Sequence, residues 1–122
     1  MDITPLVPAN RQLIHGYGDG GFTVSAIRHE GPVLVLADRT IAWDAADAGA
    51  VTLESLAAVI ADRPDILVLG CGKAMVAPPR ALRAALKAEG IVVEAMDTGA
   101  ACRTYNVLLT EGRRAAAALI PV

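Results

Sequence analysis

The period of the hydrophobic positions changes along the chain, and each change predicts an element. Glycines at 16, 18, 20 and 21 exclude a helix near the start and allow bulges or positive φ. Phe22, Val24 and Ala26 then alternate with Thr23, Ser25 and Ile27, which is strand period. "HEGP" from His29 to Pro32 predicts a turn, and Val33 to Leu36 a second strand, so the region reads as an antiparallel hairpin. "RTIAWD" is a third short extended piece ending near Trp43.

From Val51 the spacing becomes helical. Thr52 suits an N-cap, and Leu53, Leu56, Ala57 and Ile60 fall at i, i+3, i+4 and i+7. Asp62-Arg63-Pro64 ends that helix, because a residue before proline avoids the helical region. "DILVLG" is an apolar run of the kind found in strands buried on both faces. "PPRALRAALKAEG" follows as a helix, with Pro79 in its first turn, Leu82, Ala85 and Leu86 inward and Gly90 at C′. "IVVEAM" is the next strand. A third helix places Ala101, Tyr105 and Leu108 on one face and stops at Gly112, and "RRAAAALIPV" is a last strand.

The predicted order is βββαβαβαβ, an α/β, three-layer single domain over residues 1–122 with a mixed sheet. Residues 1–12, with Pro5, Pro8 and Asn10, read as an irregular lead-in. A strand–helix–strand unit with one glycine stop makes the two central strands parallel. Both of their carboxyl ends then lie on one rim of the sheet, where open α/β sheets bind ligands.

Composition narrows the function classes. The chain has 122 residues and a net charge of -2, with 20% charged residues. A nucleic-acid binder normally carries a basic excess, so that class is disfavoured. Hydrophobic residues reach 54% but aromatics only 3%, so the core must be aliphatic. No run approaches the roughly 18 apolar residues of a membrane span, and "MDITPLVPANRQ" has no signal-peptide pattern. Two cysteines far apart make no disulfide framework, and the expected compartment is the cytoplasm.

The rim carries the candidate chemistry. In "LGCGKAMVAPP", Gly70-Cys71-Gly72 resembles the start of a dinucleotide fingerprint, but Met75 stands where a further glycine is needed. The Walker pattern fails because neither Ser nor Thr follows Lys73. Two cysteines and two histidines match no zinc spacing, so neither a metal nor a cofactor is expected. Asp97-Thr98-Gly99 is the tripeptide of retroviral-type aspartic proteases. That chemistry needs an all-β frame, whereas here a helical pattern follows, so Asp97 or Thr98 reads as a helix cap. Cys102 falls in the first turn beside Arg103, where a helix dipole favours a thiolate. Arg103, with Asn106 one helical step away, could hold an anion or a partner's carboxylate. The competing reading ties Arg103 to Asp97 within the fold.

"GGFTVSAIRHEGPVLVL", Trp43 and the stretch from "ILVLGCGK" to "AAAALIP" carry a family resemblance, strongest from Asp97 to Arg114. They resemble a widespread α/β domain family of unknown molecular function. Its members include a mitochondrial assembly factor for respiratory complex I and an adipogenesis-associated protein. The resemblance implies a compact α/β fold with a mixed sheet and a role through protein contacts. It brings no catalytic residues.

The expectation is therefore a non-catalytic binding or assembly domain. Its candidate rim holds Cys71, Gly72, Lys73, Asp97, Thr98, Cys102, Arg103 and Asn106. A protein partner is expected, with a small anion or metabolite as a further ligand class and homodimerisation allowed by an exposed hairpin edge. The alternative is a small-molecule enzyme using a thiol and Arg103.

Overall fold

The computed structural model describes residues 11–45 and 47–122. The lead-in expected over 1–12 lies outside these apart from Arg11 and Gln12. Strands β1 (Ile14–Gly18), β2 (Gly21–Val24), β3 (Ile27–Glu30), β4 (Val33–Val35) and β5 (Thr40–Ala42) come first. Then follow α1 (Ala57–Asp62), β6 (Ile66–Gly70), α2 (Arg80–Ala88), β7 (Val92–Met96), α3 (Thr98–Thr110) and β8 (Ala115–Leu119). From α1 onward the order is the expected one, and the fold is mixed α/β.

The N-terminal half holds more strands than the hydrophobic pattern suggests. The stretch read as one strand from Phe22 turns at Ser25 and Ala26, whose φ angles are 48° and 66°. Val24 pairs with Ile27 across this two-residue turn, so β2 and β3 form a tight hairpin. Neither residue is the glycine or asparagine that usually marks positive φ, so the turn is silent in the sequence. Nor does Val33–Leu36 pair with the strand before it. Its strand, β4, lies between β5 and β8 in a different sheet.

Two sheets result. β1-β2-β3 is an antiparallel three-stranded sheet, and the five-stranded sheet runs β5-β4-β8-β6-β7. β6 pairs in parallel with β7 on one side and β8 on the other, while β4 joins β8 antiparallel. β8, made of four alanines and a leucine, is therefore central and wholly buried.

Alternation along these strands divides the core. Leu34, Leu67, Leu69, Ala116 and Ala118 face one way and pack with Leu56 and Val59 beside α1 and with Leu82 and Leu86 of α2. Val35, Val68, Ala117 and Leu119 face the other, against Tyr105 and Leu109 of α3 and Phe22 and Val24 of the small sheet. Three layers follow: α1 and α2, the five-stranded sheet, then α3 with the three-stranded sheet.

Helix ends follow the local chemistry. Thr52 Oγ1 accepts from the Ser55 amide at 3.1 Å, but the N-cap position belongs to Leu53, and the element it opens is a 3-10 turn, Glu54–Leu56, that leads into a shorter α1. α2 closes with Gly90 at φ 80°, its amide donating to Lys87 O and the next amide, Ile91, to Leu86 O, each at 2.9 Å. This is a Schellman motif, with Ile91 and Leu86 sharing the same core cluster. Gly112 closes α3 the same way, with Arg113 N donating to Leu108 O at 2.9 Å.

Candidate functional site

β6 and β7 send their chains to opposite faces of the sheet, β6 into α2 and β7 into α3. Their carboxyl ends thus form a topological switch point, the usual place for a ligand crevice. Here the two ends are stitched together. Cys71 N donates to Met96 O at 2.8 Å, and Thr98 N donates to Gly72 O at 2.8 Å. The Thr98 hydroxyl adds a third tie, accepting from Gly72 N at 2.9 Å while donating to Ile120 O at 2.6 Å.

The stitching needs a bare backbone at Gly70. A Cβ there would lie 2.9 Å from Leu119 Cδ2, 3.1 Å from Thr98 Oγ1 and 3.2 Å from Ala101 Cβ. Asp97 is the N-cap of α3, its Oδ1 accepting from Ala100 N at 2.9 Å. The tripeptide at Asp97 is thus a strand-to-helix junction. Its carboxylate secures the first turn, and its threonine is fully buried.

The two cysteines sit on opposite faces of the sheet, Cys71 among the α1/α2 core and Cys102 among the α3 core. Cys71 Sγ lies 3.3 Å from Val76 O and 3.8 Å from Leu69 O. Burial pushes the Cys102 thiol up to about 11, and the nearby Arg103 guanidinium offsets only part of this. Cys102 is therefore a neutral thiol at physiological pH, the reverse of the thiolate that a helix start would favour. Desolvation wins because the side chain is only 3% exposed.

Arg103 points out of the fold. It forms no ion pair with Asp97, and the ion pairs among the described residues are Arg28–Glu30 and Arg39–Asp38. Lys73 is likewise exposed, in the loop between β6 and α2. Asn106 is committed elsewhere: its Oδ1 accepts from Ile14 N at 2.9 Å, and its Nδ2 donates to Ile14 O at 2.7 Å. The carboxamide thus acts as a one-residue strand that fastens β1 to α3 across 92 positions of sequence.

A groove of about 240 Å³ opens beside this clamp. Ile14, His15, Gly16 and Tyr17 form one wall, and Cys102, Arg103 and Asn106 the other. The register shift between Ile14 and Gly16 is a bulge, and bulges re-aim the side chain they carry, here His15. Gly99 lets the far end of the groove close in. A Cβ on Gly99 would meet the Tyr17 hydroxyl at 2.6 Å and Arg103 Nη1 at 3.4 Å, so both groups converge on that point. Tyr17, His15 and Ile120 were not among the expected rim residues. An aromatic between two glycines is the one sequence signal that Tyr17 offered. Among the described residues no three His, Cys, Asp or Glu groups cluster as a metal would need. No helix there is long and apolar enough to cross a membrane.

Comparison with known proteins gives this geometry its relatives. Residues 14–120 match the family described as protein of unknown function (DUF498/DUF598). An uncharacterized protein of Rhodobacter capsulatus is 39% identical over 109 residues, covering 89% of this chain and 84% of its own. The NADH dehydrogenase [ubiquinone] 1 alpha subcomplex assembly factor 3 of Danio rerio is 36% identical over 111 residues. The match covers 89% of this chain but only 64% of that assembly factor. Among solved structures, a Bartonella henselae protein described as an outer membrane protein superposes with TM-score 0.86 at 34% identity, covering 93% of this chain and 98% of that one.

Proposed function

The chain belongs to the DUF498/DUF598 family, and from that premise we propose that it is a non-catalytic docking domain. It acts through protein contacts in the assembly of a multisubunit complex, as its similarity to the complex I assembly factors suggests. The working surface is the outward side of α3 together with Tyr17, and the compartment is the cytoplasm.

One observation carries this reading. The crevice at the switch point, where an α/β enzyme of this topology would hold its substrate, is stitched shut by Thr98, Gly72, Cys71 and Met96. Ligand access at that point would require breaking buried hydrogen bonds. A thiol enzyme finds no support either, because both cysteines are buried and Cys102 is held protonated. In contrast, Tyr17 is 43% exposed and Val107 of α3 is 55% exposed, large apolar groups beside the unpaired Arg103. Aromatic and arginine side chains are the commonest anchors of protein interfaces.

A photo-crosslinking residue placed at Val107 tests the proposal, with the same residue at the exposed Val92 of the edge strand β7 as control. The expected result is a discrete adduct from position 107 alone, containing a subunit or biogenesis factor of a multisubunit complex. Equal adducts from both positions, or none from position 107, would overturn it.

A further inference from the structure

We propose that the groove between β1 and the first two turns of α3 is a carboxylate-recognition site that receives an acidic side chain of the partner protein. The inference rests on the docking reading above and names the chemistry that the surface selects.

The groove is one-sided in charge. Arg103, His15 and Tyr17 line it, and among the described residues no Asp or Glu does. This stands out on a chain whose net charge is -2. The cavity lined by Arg11 and Arg114 differs, because a carboxylate, that of Asp62, lines it with them. Arg103 has no hydrogen bond or ion pair among the described residues, so its fork of donors is free for a planar oxyanion.

The groove is also held in shape. Asn106 fixes β1 against α3 through both polar groups of Ile14, which sets the distance between the two walls. Gly99 leaves bare a space that the Tyr17 hydroxyl and Arg103 Nη1 both border. Two donors meeting at one point, on walls that cannot drift apart, match the two oxygens of a carboxylate. The apolar neighbour Val107 and the ring of Tyr17 favour a peptide over a free ion, since they offer contact area beyond the charge.

The test is an NMR titration of the isotope-labelled protein at low salt. The probes are an acetylated hexaglutamate peptide, its hexaglutamine counterpart, acetate and inorganic phosphate. Hexaglutamate should shift the amides of Tyr17, Gly99 and Arg103 saturably, and hexaglutamine should not. Arg103→Gln should weaken binding about tenfold, as loss of a charge-assisted pair implies. Gly99→Ala should do the same without removing any polar group, because its methyl displaces the Tyr17 hydroxyl while alanine favours the helix. Arg114→Gln should bind as the wild type does.

Four results would overturn the assignment. They are the absence of a saturable shift with hexaglutamate, unchanged affinity in Arg103→Gln and Gly99→Ala, shifts centred on Arg11 and Arg114, or saturation by acetate or phosphate at lower concentration than by the peptide. Concentration-dependent shifts of the same amides without any probe would instead make a second copy of this chain the occupant. A crosslink from Val107 together with a failed titration would sink the carboxylate site alone, leaving the docking domain intact.

Discussion

The Thr98 hydroxyl and the Gly72 amide, 26 residues apart in sequence, lie 2.9 Å from each other at the carboxyl edge of the sheet. The same oxygen donates to Ile120 O, so one buried side chain joins the ends of β6, β7 and β8. Replacing Thr98 with valine keeps the shape but strands one amide and one carbonyl in the interior. Such groups cost about 1–3 kcal/mol each, so Thr98→Val should lose about 2–6 kcal/mol in urea denaturation. Thr98→Ser keeps the hydroxyl and should lose no more than about 1.5 kcal/mol, the usual cost of one buried methyl. Equal losses in the two variants would remove the hydroxyl from the account.

Asn106 should behave as a clamp whose loss is local. Asn106→Ala deletes both bonds to Ile14, and a cost of about 2 kcal/mol follows from two part-buried hydrogen bonds. Hydrogen exchange should quicken at Ile14 and along β1 while β6 and β8 stay protected. Uniform loss of protection would show that β1 is not held by this side chain.

Alkaline pH should destabilise the protein through Cys102. Its folded thiol titrates at about 11 against an ordinary value of 9.0, so the folded state binds the proton more tightly than the unfolded chain. Stability from this group is therefore fully present below pH 9.0 and is lost as pH rises through about 11. Denaturation midpoints of wild type and Cys102→Ala should converge across that window. Alkylation by iodoacetamide at neutral pH should leave Cys102 unmodified until the chain unfolds, and rapid labelling of the folded protein would contradict its burial.

Tyr105 carries a cost the fold does not offset. Its ring is fully buried, and its hydroxyl has no hydrogen-bond partner among the described residues. Burial pushes that hydroxyl up to about 12, with Arg11 partly opposing the shift. Tyr105→Phe should accordingly leave stability unchanged or raise it by about 1 kcal/mol, since the unpaired oxygen is removed and the packing kept. A loss above about 1 kcal/mol would mean that the hydroxyl has a partner in solution.

Wherever neighbours in sequence decide the outcome, the fold was legible in advance. The apolar run ending at Gly70 and the i, i+4 spacing of Ala101 and Tyr105 mark β6 and α3. So does the capping role of Asp97, because helix and strand periods and free helix amides are properties of a few adjacent residues. The N-terminal half was less legible. Ser25 and Ala26 make a tight turn with residues that do not advertise one, and β3 and β4, neighbours in sequence, join different sheets. At the rim, the strand–helix–strand order implied that the ends of β6 and β7 share one edge of the sheet, but it did not distinguish an open crevice from a stitched one.

The sequence by itself determined the α/β alternation, the helix stops at Gly90 and Gly112, the aliphatic core and the family. Tertiary structure alone decided that β8 runs through the middle of the sheet, that Thr98 reaches both Gly72 and Ile120, that Asn106 serves Ile14, and that Tyr17 and Arg103 both close on Gly99. The physical reason is range. Caps and periodicities are settled within one or two turns of chain. A hydroxyl between two strands, or two donors over one glycine, exists only after distant segments have closed into a single sheet.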